Sequence, residues 1–436
     1  MNIAAALKEL QAARIETLAG EAPAAFAYGA DATFRAPETL LVVIPATEDE
    51  LIAAVRILVK HRIPMTPRGS GTGTTGGALP EKTALLFTGR LTACRIDAGD
   101  LIAEVEPGVL TGDLKRAAEQ QGLLYPPDPA SHEYATIGGN IATNAGGPAS
   151  LKYGTTRDHL RKVRLIDGTG EVRELGAAVH KFSTGYFLPG MICGSEGTFG
   201  VVTRAWLKLV PCPPFSSFIE IVAPTPDDFS GIRLLAPAAM EYLDIRAGEL
   251  VTGSRQSYLL VRLEAFTEAE LAEQERRFTG RLTAAGRFFR IGRDKKEIWA
   301  VRELLSPLSY QLGERKTAQD IVLPFSRIPE FLQWAEILRK RLPAGMELFV
   351  FGHLGDGNLH VNLLCGDDLA VEAKLIQREI IVQTRQLGGL ISGEHGIGRE
   401  RREALGLFID EPTRELMRGI KKLFDPYDLM NPGKVL

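Results

Sequence analysis

Pro67-Arg68-Gly69-Ser70-Gly71-Thr72-Gly73-Thr74-Thr75-Gly76-Gly77 places five glycines in nine residues, just after the strand-like run 63–67. Gly71, Gly73 and Gly76 have the GxGxxG spacing of a dinucleotide-binding turn. That turn requires the glycines to open a helix, and Gly76, Gly77 and Pro80 would break one. What remains is a loop whose successive backbone N–H groups can converge on a phosphate, with the hydroxyls of Ser70, Thr72 and Thr74 as further donors. A flexible surface turn is the alternative for this segment alone, although a turn needs fewer glycines.

Working outward, residues 41–45 read as a strand. A helix follows whose Thr47 and Glu50 form a capping box expected to satisfy two orphan N–H groups, with Leu51, Val55, Leu58 and Val59 on one buried face. Further strand-like runs lie at 84–87, 101–107 and 162–168, with a helix near 111–121. Two more small-residue clusters follow: Thr136 to Gly147, continued by Lys152-Tyr153-Gly154, and Gly194 to Gly200 ahead of Val201 and Val202. Such runs suit backbone packed against a large flat ligand. Each is weak alone; three in one stretch point to an extended nucleotide cofactor. Val210-Pro211-Cys212-Pro213-Pro214 then breaks the pattern and marks a domain boundary.

Beyond it, strand-like runs alternate with helical stretches at 268–283, 328–341 and 370–387, which implies an α+β domain of an open sheet with helices on one face. The last helix is expected to begin at Pro412 and stop before Pro426, ahead of an extended tail. The expected division is 1–213, 214–388 and a C-terminal segment 389–436. The whole chain has 436 residues with 51 Lys plus Arg against 54 Asp plus Glu, a net charge of −3. That balance lacks the electrostatic footprint of a nucleic-acid binder. No apolar stretch is long enough for a membrane span, and the charged start makes a poor signal peptide. The four cysteines form no close pair, which argues against a zinc knuckle, iron–sulfur site or disulfide framework and fits a cytoplasmic location.

Three of the seven histidines fall in the second half, at 353, 360 and 395. In Phe349-Val350-Phe351-Gly352-His353-Leu354-Gly355-Asp356-Gly357-Asn358-Leu359-His360-Val361-Asn362, Asp356-Gly357 signals a two-residue hairpin. Counting outward from that turn places His353 directly opposite His360, with Asn362 on the same face. Two imidazoles so placed can converge on one metal ion, or form a buried hydrogen-bonded pair without one. Gly393-Glu394-His395-Gly396-Ile397-Gly398 adds a carboxylate beside a histidine. His353, His360 and Glu394 make a two-nitrogen, one-oxygen set suited to catalytic zinc and also usable by Mn or Fe(II). From these residues alone, either Glu394 or His395 could be the third ligand. Arg302 and Lys316 by themselves read as ordinary solvated charges.

The motifs PRGSGTGTTGGAL, YPPDP…TIGGNIATNAGGPASLKYGTT and GSEGTFGVVT together resemble, in order, the flavin domain of the vanillyl-alcohol-oxidase-type FAD proteins. The HxxxxxxH, GEHG and NPGK motifs are similar to those of the branch holding the flavin-carrying chain of glycolate oxidase, D-lactate dehydrogenase and D-2-hydroxyglutarate dehydrogenase. The likeness runs from about Tyr28 to Lys434. It implies a fold of class α+β: a two-subdomain FAD-binding domain plus an α+β cap whose antiparallel sheet is covered by helices. The C-terminal segment would return to the FAD domain.

By this resemblance Pro67, Arg68, Gly69, Ser70, Gly71, Thr72, Gly73 and Thr74 grip the FAD pyrophosphate. Pro127 and Asp128, and Thr136, Gly138, Gly139, Asn140, Thr143, Asn144, Gly146 and Gly147, line the rest of the cofactor. Tyr153, Gly154, Glu196, Gly197, Gly200, Val201, Val202 and Asn431 complete that set. No histidine stands at 67–77 for a covalent flavin link, so non-covalent FAD is expected; His132 reads as a loop residue near the cofactor. The resemblance assigns His353, His360 and Glu394 to a divalent metal, zinc first, and leaves His395 as the base. It places Arg302 and Lys316 on the substrate, beside Asn362. Ser306 departs from the threonine of the related hydroxyglutarate enzymes, and Lys316 lies two residues further from Asp320 than in them.

The expected activity is oxidation of a small D-2-hydroxy acid (D-lactate, glycolate or D-2-hydroxyglutarate) to the 2-oxo acid. Electrons would pass to an electron-transfer flavoprotein, an iron–sulfur subunit or a quinone-linked chain, because the sequence has no cysteine cluster of its own. A dimer or hetero-complex, peripheral to a membrane through its partner, fits that scheme. The rivals are a sugar oxidase without the metal set, a non-catalytic FAD-carrying subunit, and a metallohydrolase, which would be colourless.

Overall fold

A computed structural model describes residues 1–33, 36–309 and 315–436. The chain forms two compact units: 1–146, 154–212 and 394–436 make the first, and 147–153 with 213–393 make the second. The division departs from the expected boundaries chiefly at 147–153. This short segment carries Gly147 and Tyr153, both assigned to the flavin domain by resemblance, into the second unit.

The first unit contains two sheets. In the four-stranded one, Glu38–Ile44, Glu81–Phe87 and Met65–Arg68 run parallel in that order, with Glu16–Ala19 antiparallel at the edge. The helix Glu48–Lys60 provides the crossover and buries Leu51, Val55 and Leu58 against this sheet. Only half of its expected capping box forms. Thr47 accepts from the Glu50 amide, but the Glu50 carboxylate accepts from Ala46 N at 2.7 Å, one residue earlier than the motif requires. The five-stranded sheet is antiparallel in the order Cys94–Asp97, Ile102–Val105, Gly200–Lys208, Leu160–Asp167 and Val172–Gly176. No helix follows the glycine loop after Arg68; the next element is the strand Glu81–Phe87.

The second unit is built on a seven-stranded antiparallel sheet. Its order is Phe289–Gly292, Phe215–Val222, Tyr258–Ala265, Ala239–Leu243, Glu347–His353, Asn358–Cys365 and Arg315–Val322. One face carries Ile219, Ile221, Leu259, Val261, Leu348, Val350, Leu359 and Val361 in period-two alternation, under the helices Glu268–Ala284, Ile328–Lys340 and Ala370–Gln386. The other face is half apolar, with Phe218, Leu260, Phe349 and Phe351 packed on residues of Ile245–Thr252 and Ala300–Ser309. Helices therefore pack on both faces, where one had been expected. The final helix runs Glu411–Phe424, with Asp410 as its N-cap and Pro412 in its first turn. Among the described residues, no helix is long and apolar enough to cross a membrane.

Candidate active site

In the first unit the glycine loops are tied to one another by their own backbone. The Asp128 amide donates to Gly146 O, the Gly194 amide to Ile141 O and the Glu196 amide to Ala142 O. Asn431 Nδ2 bridges Gly77 O and Glu196 O at 2.8 and 2.7 Å. Gly71 has φ +73°, a conformation that favours glycine, and a Cβ there would lie 2.0 Å from Arg68 Nη2. Arg68 itself turns back beneath its loop to donate to Ala30 O. A cavity of about 380 Å³ opens beside this loop, lined by Ser70, Phe87, Gly89, Thr92, Cys94, Gly108, Val109, Leu110, Asp113 and Thr136, among others. Of these, only Ser70 and Thr136 had been singled out from sequence.

Several assigned cofactor residues are engaged with the protein itself. Thr136 caps the helix Ile137–Thr143 by accepting from Gly139 N. Asn140 donates to Thr111 Oγ1, Thr143 to Gly139 O, and Asp128 pairs with Lys115. Asn144 ends its helix in the left-handed region and accepts from Thr155 and Arg157. Val201 is buried in the core beside the four-stranded sheet. These side chains shape the loops, and the Ile137, Gly138 and Asn140 amides are likewise taken, by Val109 O, Pro107 O and Thr136 O, so that the 136–147 segment offers chiefly its small-residue surface.

Glu196 is buried, and burial pushes its carboxyl up to about 7, while the Ile397 and Gly398 amides, donating at 2.7 and 2.8 Å, pull it back. Through those two bonds it fixes the loop that contains His395. Thr75 Oγ1 donates to His395 O and reinforces the tie. His395 Nε2 stands 3.8 Å from Glu394 Oε1. Both residues belong to the first unit.

In the second unit the hairpin departs from expectation. His353 pairs with Asn358, not His360, and His360 lies opposite Phe351. The turn is four residues long, because Leu354 is drawn into the helix-covered core and Gly357 takes φ +89° at its end. The two histidines remain on one face as diagonal neighbours, with ring centroids 5.3 Å apart and planes at 84°. Asn362 shares the face, and its buried Nδ2 has no hydrogen-bond partner among the described residues.

Two carboxylates given no role from sequence stand behind the histidines. Glu241, fully buried on the neighbouring strand, places Oε1 2.6 Å from His353 Nδ1. Burial alone would raise the Glu241 carboxyl, but His353 and Arg302 together hold it below the ordinary carboxylate value. Asp320, opposite His360, has Oδ1 3.9 Å from His360 Nδ1 and accepts from Asn358 Nδ2, Ser392 Oγ and the Gly393 amide. Both partnerships require strand order, which no local spacing encodes.

Arg302 donates to Glu241 Oε2 through Nε at 2.6 Å and lies over the Phe351 ring. It is buried, not the solvated charge its type suggests. Lys316 is on the same face, and burial lowers its ammonium to about 8. The side chain of Ser306 lies outside the described residues. Tyr153 donates to Glu264 Oε2 at 2.7 Å. An imidazole whose Nδ1 is tied to a carboxylate presents Nε2, the donor pattern of a metal-ligating histidine; His353 has that pattern and so fits a divalent cation, with His360 beside it on the same face.

Comparison with known proteins gives the family. Residues 39–176 match the family model described as FAD binding domain, and residues 214–435 match FAD linked oxidases, C-terminal domain. A D-lactate dehydrogenase of Anaerostipes hadrus is 34% identical over 430 residues, covering 90% of this chain and 89% of its own. Glycolate oxidase subunit GlcD of Bacillus subtilis is 32% identical (90% and 88% covered), and a D-2-hydroxyglutarate dehydrogenase of Xanthomonas citri is 31% identical (94% and 92%). Among solved structures, p-cresol methylhydroxylase aligns with a TM-score of 0.81 at 16% identity, covering 99% of this chain and 96% of its own. That similarity speaks to fold alone.

Proposed function

The chain belongs to the family of FAD-linked oxidases, and from that premise we propose that it oxidises a small D-2-hydroxy acid to the 2-oxo acid. D-lactate, glycolate and D-2-hydroxyglutarate are the substrates to test first. The observation that carries this reading is the polar row on one face of the seven-stranded sheet: His353, His360 and Asn362, with Arg302 held over Phe351.

FAD, when bound, supplies the acceptor for the C2 hydride, and a divalent cation held by His353, His360 and Glu394 supplies a Lewis acid. The protein's own groups do the rest. Arg302 hydrogen-bonds to Glu241 through Nε, which leaves the two Nη groups of its fork for a substrate carboxylate. Lys316 adds positive charge on the same face, and the Asn362 amide orients the substrate by hydrogen bonding. His395 takes the hydroxyl proton as the hydride departs. The glycine loop at 67–74 would hold FAD through its backbone N–H groups, and the small-residue segments 136–147 and 194–200 through close approach, without a covalent bond. A protein or quinone-linked partner would accept the electrons, because the chain has no cysteine cluster of its own for a relay.

Anaerobic titration of the FAD-loaded protein tests this reading. Bleaching of the flavin band by one of the three acids, abolished by EDTA and restored by Zn²⁺ or Mn²⁺, is the expected result. A protein that keeps its colour with all three acids, metal present, would point to another substrate or to an electron-carrying subunit. The subunit name borne by the Bacillus relative makes that the second reading.

A further inference from the structure

Glu241 belongs to none of the motifs read from sequence, yet the fold commits it to two of the proposed site residues. It is fully buried on the strand Ala239–Leu243, in register with His353. The positions before and after it on the same face, Ala239 and Leu243, are apolar and fully buried. A carboxylate at such a place costs stability unless both oxygens are paired. Here both are: Oε1 lies 2.6 Å from His353 Nδ1, and Oε2 accepts from Arg302 Nε at 2.6 Å.

We infer that Glu241 is a positioning residue that orients the His353 ring and the Arg302 fork together. A carboxylate beside a guanidinium accepts hydrogen bonds and donates none. His353 must therefore carry its proton on Nδ1, which leaves the Nε2 lone pair for a cation. The same carboxylate holds Arg302 by Nε, so the planar fork presents its Nη edge at a fixed angle. One buried group thus sets the geometry of a metal ligand and of a carboxylate anchor, coupling the two. The inference rests on the metal and substrate roles proposed above for His353 and Arg302.

The test uses the full-length, FAD-loaded protein, stripped with EDTA and titrated with Mn²⁺ alone, with free Mn²⁺ followed by its EPR signal. Glu241→Gln can accept from one partner but presents an N–H group to the other. It should bind Mn²⁺ about 10–100-fold more weakly than wild type, the usual range for loss of such an outer partner, with flavin content unchanged. Glu241→Asp keeps an acceptor-only group and should lose less than Gln. In both variants KM for the hydroxy acid should rise by more than kcat falls. Wild-type Mn²⁺ affinity in both variants overturns the inference and leaves the metal reading intact. A wild-type protein that binds no stoichiometric Mn²⁺ removes the metal reading, and this inference with it. Should Glu241→Gln lose its flavin, Glu241→Asp decides: a threefold or larger loss of affinity supports the role, and no loss overturns it.

Discussion

Lys316 shows how burial converts a surface-type residue into a pH-sensitive one. Burial lowers its ammonium to about 8, from an ordinary value near ~10.4. A base with a depressed folded-state pKa contributes stability that is present above the unfolded value and lost as pH falls through about 8. For substrate binding the sign is reversed, because the cation is the useful form. KM for a hydroxy acid should therefore rise as pH passes about 8. Lys316→Met should raise KM several-fold below pH 8 and flatten that limb, as steady-state kinetics between pH 6 and 9.5 would record. Glu196 behaves oppositely. Its folded pKa of about 7 lies above the ordinary carboxyl value, so its contribution to stability is complete below the unfolded pKa and is lost as pH rises towards 7. Glu196→Gln leaves one of the Ile397 and Gly398 amides without an acceptor, a cost of about 1–3 kcal/mol. It should also remove that decline, so melting profiles of the two proteins should converge as pH rises from about 4.5 to 7. Glu196 was legible as part of GSEG; its bonds to the GEHG loop, some 200 residues away, were not.

At the level of single elements, local pattern served well where the structure is local. The helices Glu268–Ala284 and Ile328–Lys340 lie within a residue of their expected ends, because caps and periodicity are written in consecutive residues. The hairpin Glu347–Cys365 is the counterexample. Asp356-Gly357 has the composition of a two-residue turn, but tertiary contacts override it. Leu354 is buried in the core, Arg233 Nε donates to Gly355 O, and Asn358 is tied to Asp320 and Ile321 O. Lengthening the turn by two residues shifts His353 from opposite His360 to its diagonal, and the period of two keeps both on one face. The face was thus readable and the register was not. Gly357 shows what sustains this turn: beyond its φ of +89°, a Cβ would lie 2.3 Å from Leu323 O. Gly357→Ala should cost more than ~2 kcal/mol, whereas Gly253→Ala, at φ +73° with open space around the site, should cost only about 1 kcal/mol. Denaturant unfolding of the two variants separates backbone strain from collision.

For the molecule as a whole, the sequence disclosed the family through loops and concealed the carboxylates and the segment 147–153, which depend on strand order and on contacts distant in the chain. The cavity of the first unit falls between these cases. Of its polar lining, Ser70 and Thr136 belong to the quoted motifs, while Thr92 and Asp113, like Phe87, Cys94 and Val109, come from elements with no motif of their own. That mixture gives a test of whether the glycine loops and this cavity serve one ligand. Cys94 is exposed and lines the cavity, whereas Cys193 and Cys365 are buried. Burial of part of its side chain raises the Cys94 thiol above its ordinary value, so its alkylation is slow but measurable at pH 8 and above. With no histidine in residues 67–77 to tether it, FAD should leave with mild acid or concentrated bromide, carrying the yellow colour into the filtrate. Refilling the apoprotein with FAD at 100 times its Kd should stabilise the fold by about 2.7 kcal/mol. If the cavity receives part of that ligand, maleimide should label Cys94 at least tenfold faster in the apoprotein than in the refilled protein, with Cys94→Ser as the blank in mass-spectrometric peptide maps. Equal rates, together with full recovery of the flavin spectrum, would place FAD on the loops and leave the cavity to another occupant.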